Sequence, residues 1–272
     1  MTDDWLRKAT SPIRITRIDA AAPNVARVWN YLMGGRDNFE ADRVAAREMM
    51  AASPVMADVA QASRAFLRRV VRFLAAEAGI RQFLDIGTGI PMADGIHDLA
   101  QAVDPASRIV YVDNDPVVLA HARALLRSRP EGVISYLDAD AREPAAIIDA
   151  AQRTLDLSQP AAITMIGVLN FIEGPGLVAD VLRTLTEAMS PGSYLAIMQP
   201  AKDGGLFAAQ RRWNEVGPLR AWLRDRAEVA SWFAGLSLVE PGIVEVHEWR
   251  PGESDPAYPR GIPLYGAVGR KP

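Results

Sequence analysis

From Gly79 onward the chain alternates short apolar runs with helical stretches, and this alternation restricts it to a sheet built from strand-helix-strand units. Strands are expected at Gln82–Ile86, Arg108–Asp113, Val133–Leu137, Ala161–Val168 and Ser193–Met198, with helices in the intervals. Strands joined by such crossovers pair parallel. Two later strand-like runs, Leu236–Trp249 and Pro263–Gly269, are separated only by a Pro/Gly-rich connection, too irregular for a crossover helix, and are expected to pair antiparallel. Before Gly79 the pattern is helical. Pro23-Asn24 opens a helix with Val25, Val28 and Leu32 at helical spacing, and Gly34-Gly35 closes it. A second helix holds Phe39–Met50. Ser53-Pro54 then supplies a cap and a first-turn proline for a third, whose apolar face of Val59, Phe66, Val70, Phe73 and Leu74 runs to Gly79. The expected division is a helical cap over residues 1–79 and a sheet core over 80–272.

At 272 residues and 49% hydrophobic content the chain can bury one sizeable core. Thirty Lys and Arg face 33 Asp and Glu, a net charge of -3, with no sustained basic run to track a phosphate backbone; nucleic acid is not an expected partner. The absence of cysteine removes disulfides, thiol nucleophiles and thiolate metal sites, and permits a cytoplasmic location. Met1–Lys8 leads into no apolar stretch of signal-peptide type, and no apolar run has membrane-spanning length. His97, His121 and His247 lack the spacing of a metal site on one helix face, so no metal is expected and all three read as structural. Neither a nucleophile elbow nor a Walker lysine is present, which argues against hydrolysis and ATP use.

The strongest local signal is Phe83-Leu84-Asp85-Ile86-Gly87-Thr88-Gly89-Ile90-Pro91, a buried strand running into a glycine turn and then a helix that begins near Pro91. Gly87 and Gly89 suit a turn that needs positive φ and a ligand that approaches the main chain. A bare strand-to-helix turn is the alternative. The third glycine of the dinucleotide fingerprint is missing, which counts against NAD and FAD. The next strand ends Val112-Asp113-Asn114-Asp115-Pro116. Asp113 is placed to accept hydrogen bonds from both hydroxyls of a ribose, with Asn114 beside it, whereas Asp115 reads as the cap of the helix from Pro116 to about Arg127. At the third strand end, Asp140 is placed to accept an adenine amino proton and the Ala141 N–H to reach a ring nitrogen; a solvated acid, or a cap for the helix after Pro144, is the other reading of Asp140. After the fourth strand, Leu169 and Asn170 stand where the reactive end of a nucleotide ligand would lie, while Phe171 and Ile172 read as packing and Glu173 as a helix start.

Taken together, Pro23–Phe39, Asp85–Pro91, Val110–Pro116, Trp249-Arg250-Pro251 and Tyr265–Arg270 resemble the actinobacterial S-adenosyl methyltransferases, once a domain of unknown function. The resemblance implies a Rossmann-like class I methyltransferase α/β sheet, mostly parallel with a C-terminal antiparallel hairpin, under an N-terminal helical cap. It also implies S-adenosylmethionine as cofactor, with Asp85, Gly87, Gly89, Asp113 and Asp140 at ligand-binding positions; Thr88, Asn114, Ala141, Leu169 and Asn170 complete the expected cofactor site. Pro91 departs from the commoner glycine loop. Tyr31–Asn38 reads either as a helix stop and restart or as a segment, carrying Tyr31, Arg36 and Asn38, that closes over the ligand. Residues 201–223, with Gly204-Gly205, Trp213 and Trp222, form a second candidate lid. Methyl transfer to a small-molecule acceptor, unidentified, is the expected activity, with no catalytic base named. A non-catalytic module that binds S-adenosylmethionine or its product and an NAD-dependent dehydrogenase are the alternatives. The sequence is silent on oligomeric state.

Overall fold

A computed structural model describes residues 19–125, 127–202, 204–253, 255–258 and 261–272. The reading of Met1–Lys8 therefore lies outside the described residues. Three helices precede the first strand: α1 (Val25–Leu32), α2 (Glu40–Ala52) and α3 (Met56–Arg72), the last extended by a π-helical turn over Phe73–Glu77. Asn24 caps α1, its Oδ1 accepting the Ala26 N–H at 2.8 Å. Asp42, fully buried, binds α1 to α2: it accepts from Arg27 Nε at 2.8 Å and from the amides of Asn24 and Phe39. A buried carboxylate persists only with such partners, because desolvation costs more than one contact returns. Ser53 does not cap α3 as its sequence position predicts; its hydroxyl donates instead to the Gly205 carbonyl at 3.1 Å, tying the helical segment to the chain beyond the fifth strand.

The remaining elements follow in order: β1 (Gln82–Ile86), α4 (Ile96–Val103), β2 (Arg108–Asp113), α5 (Pro116–Leu125), β3 (Val133–Asp138), α6 (Pro144–Ala151), β4 (Ala162–Ile166), α7 (Pro175–Ala188), β5 (Tyr194–Pro200), α8 (Phe207–Val216), α9 (Arg226–Ser231), β6 (Ser237–Leu238), β7 (Val244–Glu245) and β8 (Leu264–Arg270). The strand order is β3-β2-β1-β4-β5-β8-β6, with β7 also on β8; β1 to β5 run parallel and β8 antiparallel to β5. This mostly parallel sheet with flanking helices is the Rossmann-like fold of class I methyltransferases. The expected C-terminal pairing is present with two differences. Leu236–Trp249 is not one strand but two short ones around a turn at Pro241, and β8 inserts between β5 and β6. A Cβ on Gly266 would lie 2.8 Å from the Phe66 ring, so only glycine lets α3 sit this close to β8.

One apolar cluster fills the space between the sheet and the helical segment. The second lies on the other face, against α6, α7 and α9. Trp249 is completely buried at the first interface, edge-on to Phe66 and Phe73 at 5.6 and 5.8 Å. The buried Arg69 of α3 donates to the carbonyls of Trp249 (2.8 Å) and Val246 (2.5 Å), pinning α3 to the C-terminal region. α8 packs on α2, with Arg212 Nη2 2.9 Å from Glu48. The helical layer thus draws on residues from both ends of the chain.

Candidate functional site

All parallel strands point their C-terminal ends to one edge, where each chain must turn and its last amides lack strand partners. A cavity of about 260 Å³ opens there, between the strand ends and α1, α3 and the Pro218-Leu219 segment. A wider, shallow groove of about 780 Å³ crosses the opposite edge, but its Gln82 and Arg108 side chains are spent on the carbonyls of Asp156 and Thr154. Convergent polar groups distinguish the first.

The floor starts at β1. Gly87 has φ 79° and donates to the Val112 carbonyl at 2.9 Å; a Cβ there would fall 2.7 Å from that of Val168. Gly89, also at positive φ, would point a Cβ into open space. The helix that sequence spacing starts at Pro91 begins only at Ile96, after Gly95. Arg64 of α3 holds the intervening loop by donating to the Ala93 and Met92 carbonyls, so tertiary contact rather than local capping sets its path.

Asp113 ends β2. The side chain is half-buried and already engaged: Oδ2 accepts the Gly89 N–H and Oδ1 the Asp115 N–H, both at 2.9 Å. The glycine turn and the acidic strand end are therefore one hydrogen-bonded unit. Burial raises the Asp113 pKa to about 6 despite those amides. Asp85 is also raised to about 6, chiefly by burial; Thr164 Oγ1 donates to it at 2.5 Å. Asp115 Oδ1 accepts the Val117 N–H at 2.7 Å and so caps α5, while its buried Oδ2 has no partner. Asp140 sits below its ordinary pKa, first because Arg142 donates to it, with Nη2 at 2.5 Å and Nε at 2.9 Å; Asn114 Nδ2 lies 3.5 Å away.

Of the positions singled out in the sequence, Asp85, Gly87, Thr88, Gly89, Asp113, Asn114, Asp140, Ala141 and Asn170 all line this one cavity. Leu169 does not; it is fully buried on the opposite face of the sheet. Tyr31, Arg36 and Asn38 do not line it either. Val25, Trp29 and Met33, spaced four apart, form the face of α1 that reaches the cavity, which turns Tyr31 away, and its hydroxyl bonds Arg47. Asn38 Nδ2 donates to Asn30 Oδ1 and the Gly35 carbonyl, so this polar run staples the α1–α2 turn. Of the second candidate lid, Pro218 and Leu219 reach the cavity; Trp213 Nε1 holds the Leu219 carbonyl at 2.7 Å, and the Trp222 N–H donates to the Asn170 carbonyl at 2.7 Å. Trp29, Arg64 and Leu67 line the cavity without having been singled out. The three-residue stripe at fourfold spacing on α1 was a readable signal; nothing local marks Arg64. His97 is buried, Nδ1 lying 2.8 Å from the Tyr111 hydroxyl, and burial lowers its pKa.

Among the described residues no helix is long and apolar enough to cross a membrane, and no three His or acidic side chains are gathered as a metal site. The search of curated proteins gives no match. A family model described as S-adenosyl methyltransferase matches residues 12–272. A crystal structure of a DUF574 family protein from Streptomyces avermitilis MA-4680 is 42% identical, covers 94% of this chain and all of its own, and superposes with a TM-score of 0.89. A protein from Thermobifida fusca YX that carries a provisional methyltransferase name is 38% identical over 93% of this chain and 96% of its own, with a TM-score of 0.85. On this breadth of match the chain belongs to the S-adenosyl methyltransferase family, as an enzyme whose cofactor is S-adenosylmethionine.

Proposed function

We propose that the cavity at the strand ends holds S-adenosylmethionine, and that the enzyme methylates a small, largely apolar acceptor entering between α1, α3 and Leu219. The observation that carries the first half is the Gly89–Asp113 unit. It presents, at one spot, a main chain without a Cβ and a carboxylate with free lone pairs. The polar lining fits the cofactor: Asp113 to accept from the ribose hydroxyls, Asp140 and the Ala141 amide for adenine, and buried Asp85 for the ammonium of the methionine end. Asn114, Thr88 and Asn170 complete the wall, and Asn170 Oδ1 is buried without a partner. Of the expected cap over 1–79, the described residues 19–79, joined by α8, act as the cap over the core at 80–272.

The cofactor supplies an already activated methyl group for direct displacement. The chain's part is alignment and exclusion of water. Trp29, Met33, Leu67, Phe171 and Leu219 form an apolar wall that favours an uncharged acceptor and keeps solvent from the reacting atoms. No feature of the cavity favours the dehydrogenase or the non-catalytic module. Calorimetry against S-adenosylhomocysteine and NADH tests the placement. Binding of the first and not the second is expected, and the reverse would overturn it.

A further inference from the structure

Arg64 is a cation whose position the chemistry above leaves unused. It lines the cavity from α3, opposite the sheet. Its neighbours on the helix, Arg68 and Arg69, each pair with a carboxylate, Asp94 and Asp255. Arg64, among the described residues, makes no such pair; Nη2 donates to the Met92 and Ala93 carbonyls. Nε and Nη1 therefore remain to donate elsewhere. Burial, and then the Arg68 charge, lower its pKa, the mark of a guanidinium partly withdrawn from water with no full counter-charge.

Asp85 stands in the same cavity with the complementary deficit. Its carboxylate is buried, and its hydrogen-bond partners are two neutral hydroxyls, those of Thr164 and Thr88. Each charge acts electrostatically on the other, but the two groups are not in contact as an ion pair. A separated cation and anion facing one cavity match a ligand that carries both signs, and an α-amino acid head group carries an ammonium and a carboxylate two bonds apart.

We infer that Arg64 binds the α-carboxylate of the cofactor's methionine end, while Asp85 takes the ammonium; this rests on the cofactor placement proposed above. Arginine suits the task where lysine does not. Its Nη2 can hold the 92–93 carbonyls while Nε or Nη1 donates to a carboxylate, whereas an ammonium concentrates its donors at one point. The amino-acid end of the cofactor is then read jointly by the sheet and the cap. A ligand lacking that end binds without engaging the cap.

The test compares S-adenosylhomocysteine with 5′-methylthioadenosine, which keeps the adenosine and thioether but lacks the amino-acid head. Affinities are measured by calorimetry on protein whose folding is checked by thermal melting. Arg64→Gln is expected to weaken S-adenosylhomocysteine at least about tenfold and to leave methylthioadenosine unchanged. Arg64→Lys should fall between. Should Arg64→Gln disturb folding, the unaltered protein serves: S-adenosylhomocysteine with its carboxylate converted to a primary amide should lose a similar factor. Unchanged S-adenosylhomocysteine affinity, equal loss for both nucleosides, or an amide that binds as well as the acid would each overturn the inference. Asp113→Ala separates it from the placement itself, since that variant should weaken both nucleosides alike. If it weakens neither, the placement is wrong and Arg64 loses its ligand with it.

Discussion

On the sheet side of the cavity the polar groups stand on turns a few residues long, and Asp113 and Asp140 are bonded at their own or a neighbouring strand end. On the helical side they come from α1, α3 and residues 218–219, distant in sequence and held by side-chain packing. Asp113 illustrates the first case, fixed by two backbone amides before any ligand arrives. Arg64 and Trp29 illustrate the second. Their placement depends on the Arg27–Asp42 pair, on Trp249 and on α8. A wall built from turns is local and stiff, whereas a wall built from packed helices is only as fixed as its packing.

Breaking the helical side at its buried ion pair should have the largest effect. Asp42→Ala leaves Arg27 without its counter-charge and two backbone amides without an acceptor, at a cost of about 3–5 kcal/mol. Chemical denaturation should register that loss. A cost under about 1 kcal/mol would show that the helical segment does not depend on this pair.

Asp113→Ala is next. It removes the acceptor of the Gly89 and Asp115 amides, so stability should fall by about 1–3 kcal/mol and S-adenosylhomocysteine affinity by at least about tenfold. Asp113→Asn, which can still accept one amide, should recover stability more than affinity. Equal recovery of both would reduce the residue to a structural acceptor.

Asp85, buried, and Asp113, half-buried, predict a pH dependence of intermediate size. Asp85 and Asp113 both titrate near 6 in the fold, against an ordinary 3.8, so the folded state holds their protons more tightly than the unfolded one. The resulting stability is fully present below about 4 and is lost as pH rises through about 6. Ligand affinity runs the other way. The ammonium of the ligand's amino-acid end needs Asp85 ionised, so S-adenosylhomocysteine binding should weaken as pH falls from 7 to 5, with Asp85→Asn flattening the profile. A flat profile in the unaltered protein would exclude a cation at Asp85.

The smallest effect is expected at Trp29→Ala. KM for an acceptor should rise several-fold while S-adenosylhomocysteine affinity stays within about twofold, because Trp29 belongs to the apolar wall and not to the nucleotide floor. A matching loss of cofactor affinity would place the acceptor elsewhere.

How far the site was legible in the sequence follows the same line. Asp85, Gly87, Gly89, Asp113 and Asp140 all sit at strand ends, where alternating apolar runs announce the strand and the polar residue announces the turn, and all line the cavity. Tyr31, Arg36 and Asn38 form an equally conspicuous polar run, yet they lie outside it. Their conspicuousness comes from a helix turn whose amides and side chains Asn30 satisfies internally. Leu169 fails for another reason. Beyond a strand end the chain can send successive residues to opposite faces of the sheet, and Asn170 took the cavity side.

By itself the sequence determined the parallel sheet, the strand ends that carry acids and the glycine turn beside them, because strand period, turn chemistry and apolar runs act over a few residues. Only the tertiary structure decided that β8 enters between β5 and β6, that α8 joins the N-terminal helices, and that Arg64 reaches the cavity. Those outcomes depend on which surfaces fit when distant segments meet. The fit turns on details such as a glycine opposite Phe66 or a serine bonded to Gly205, which no local pattern records.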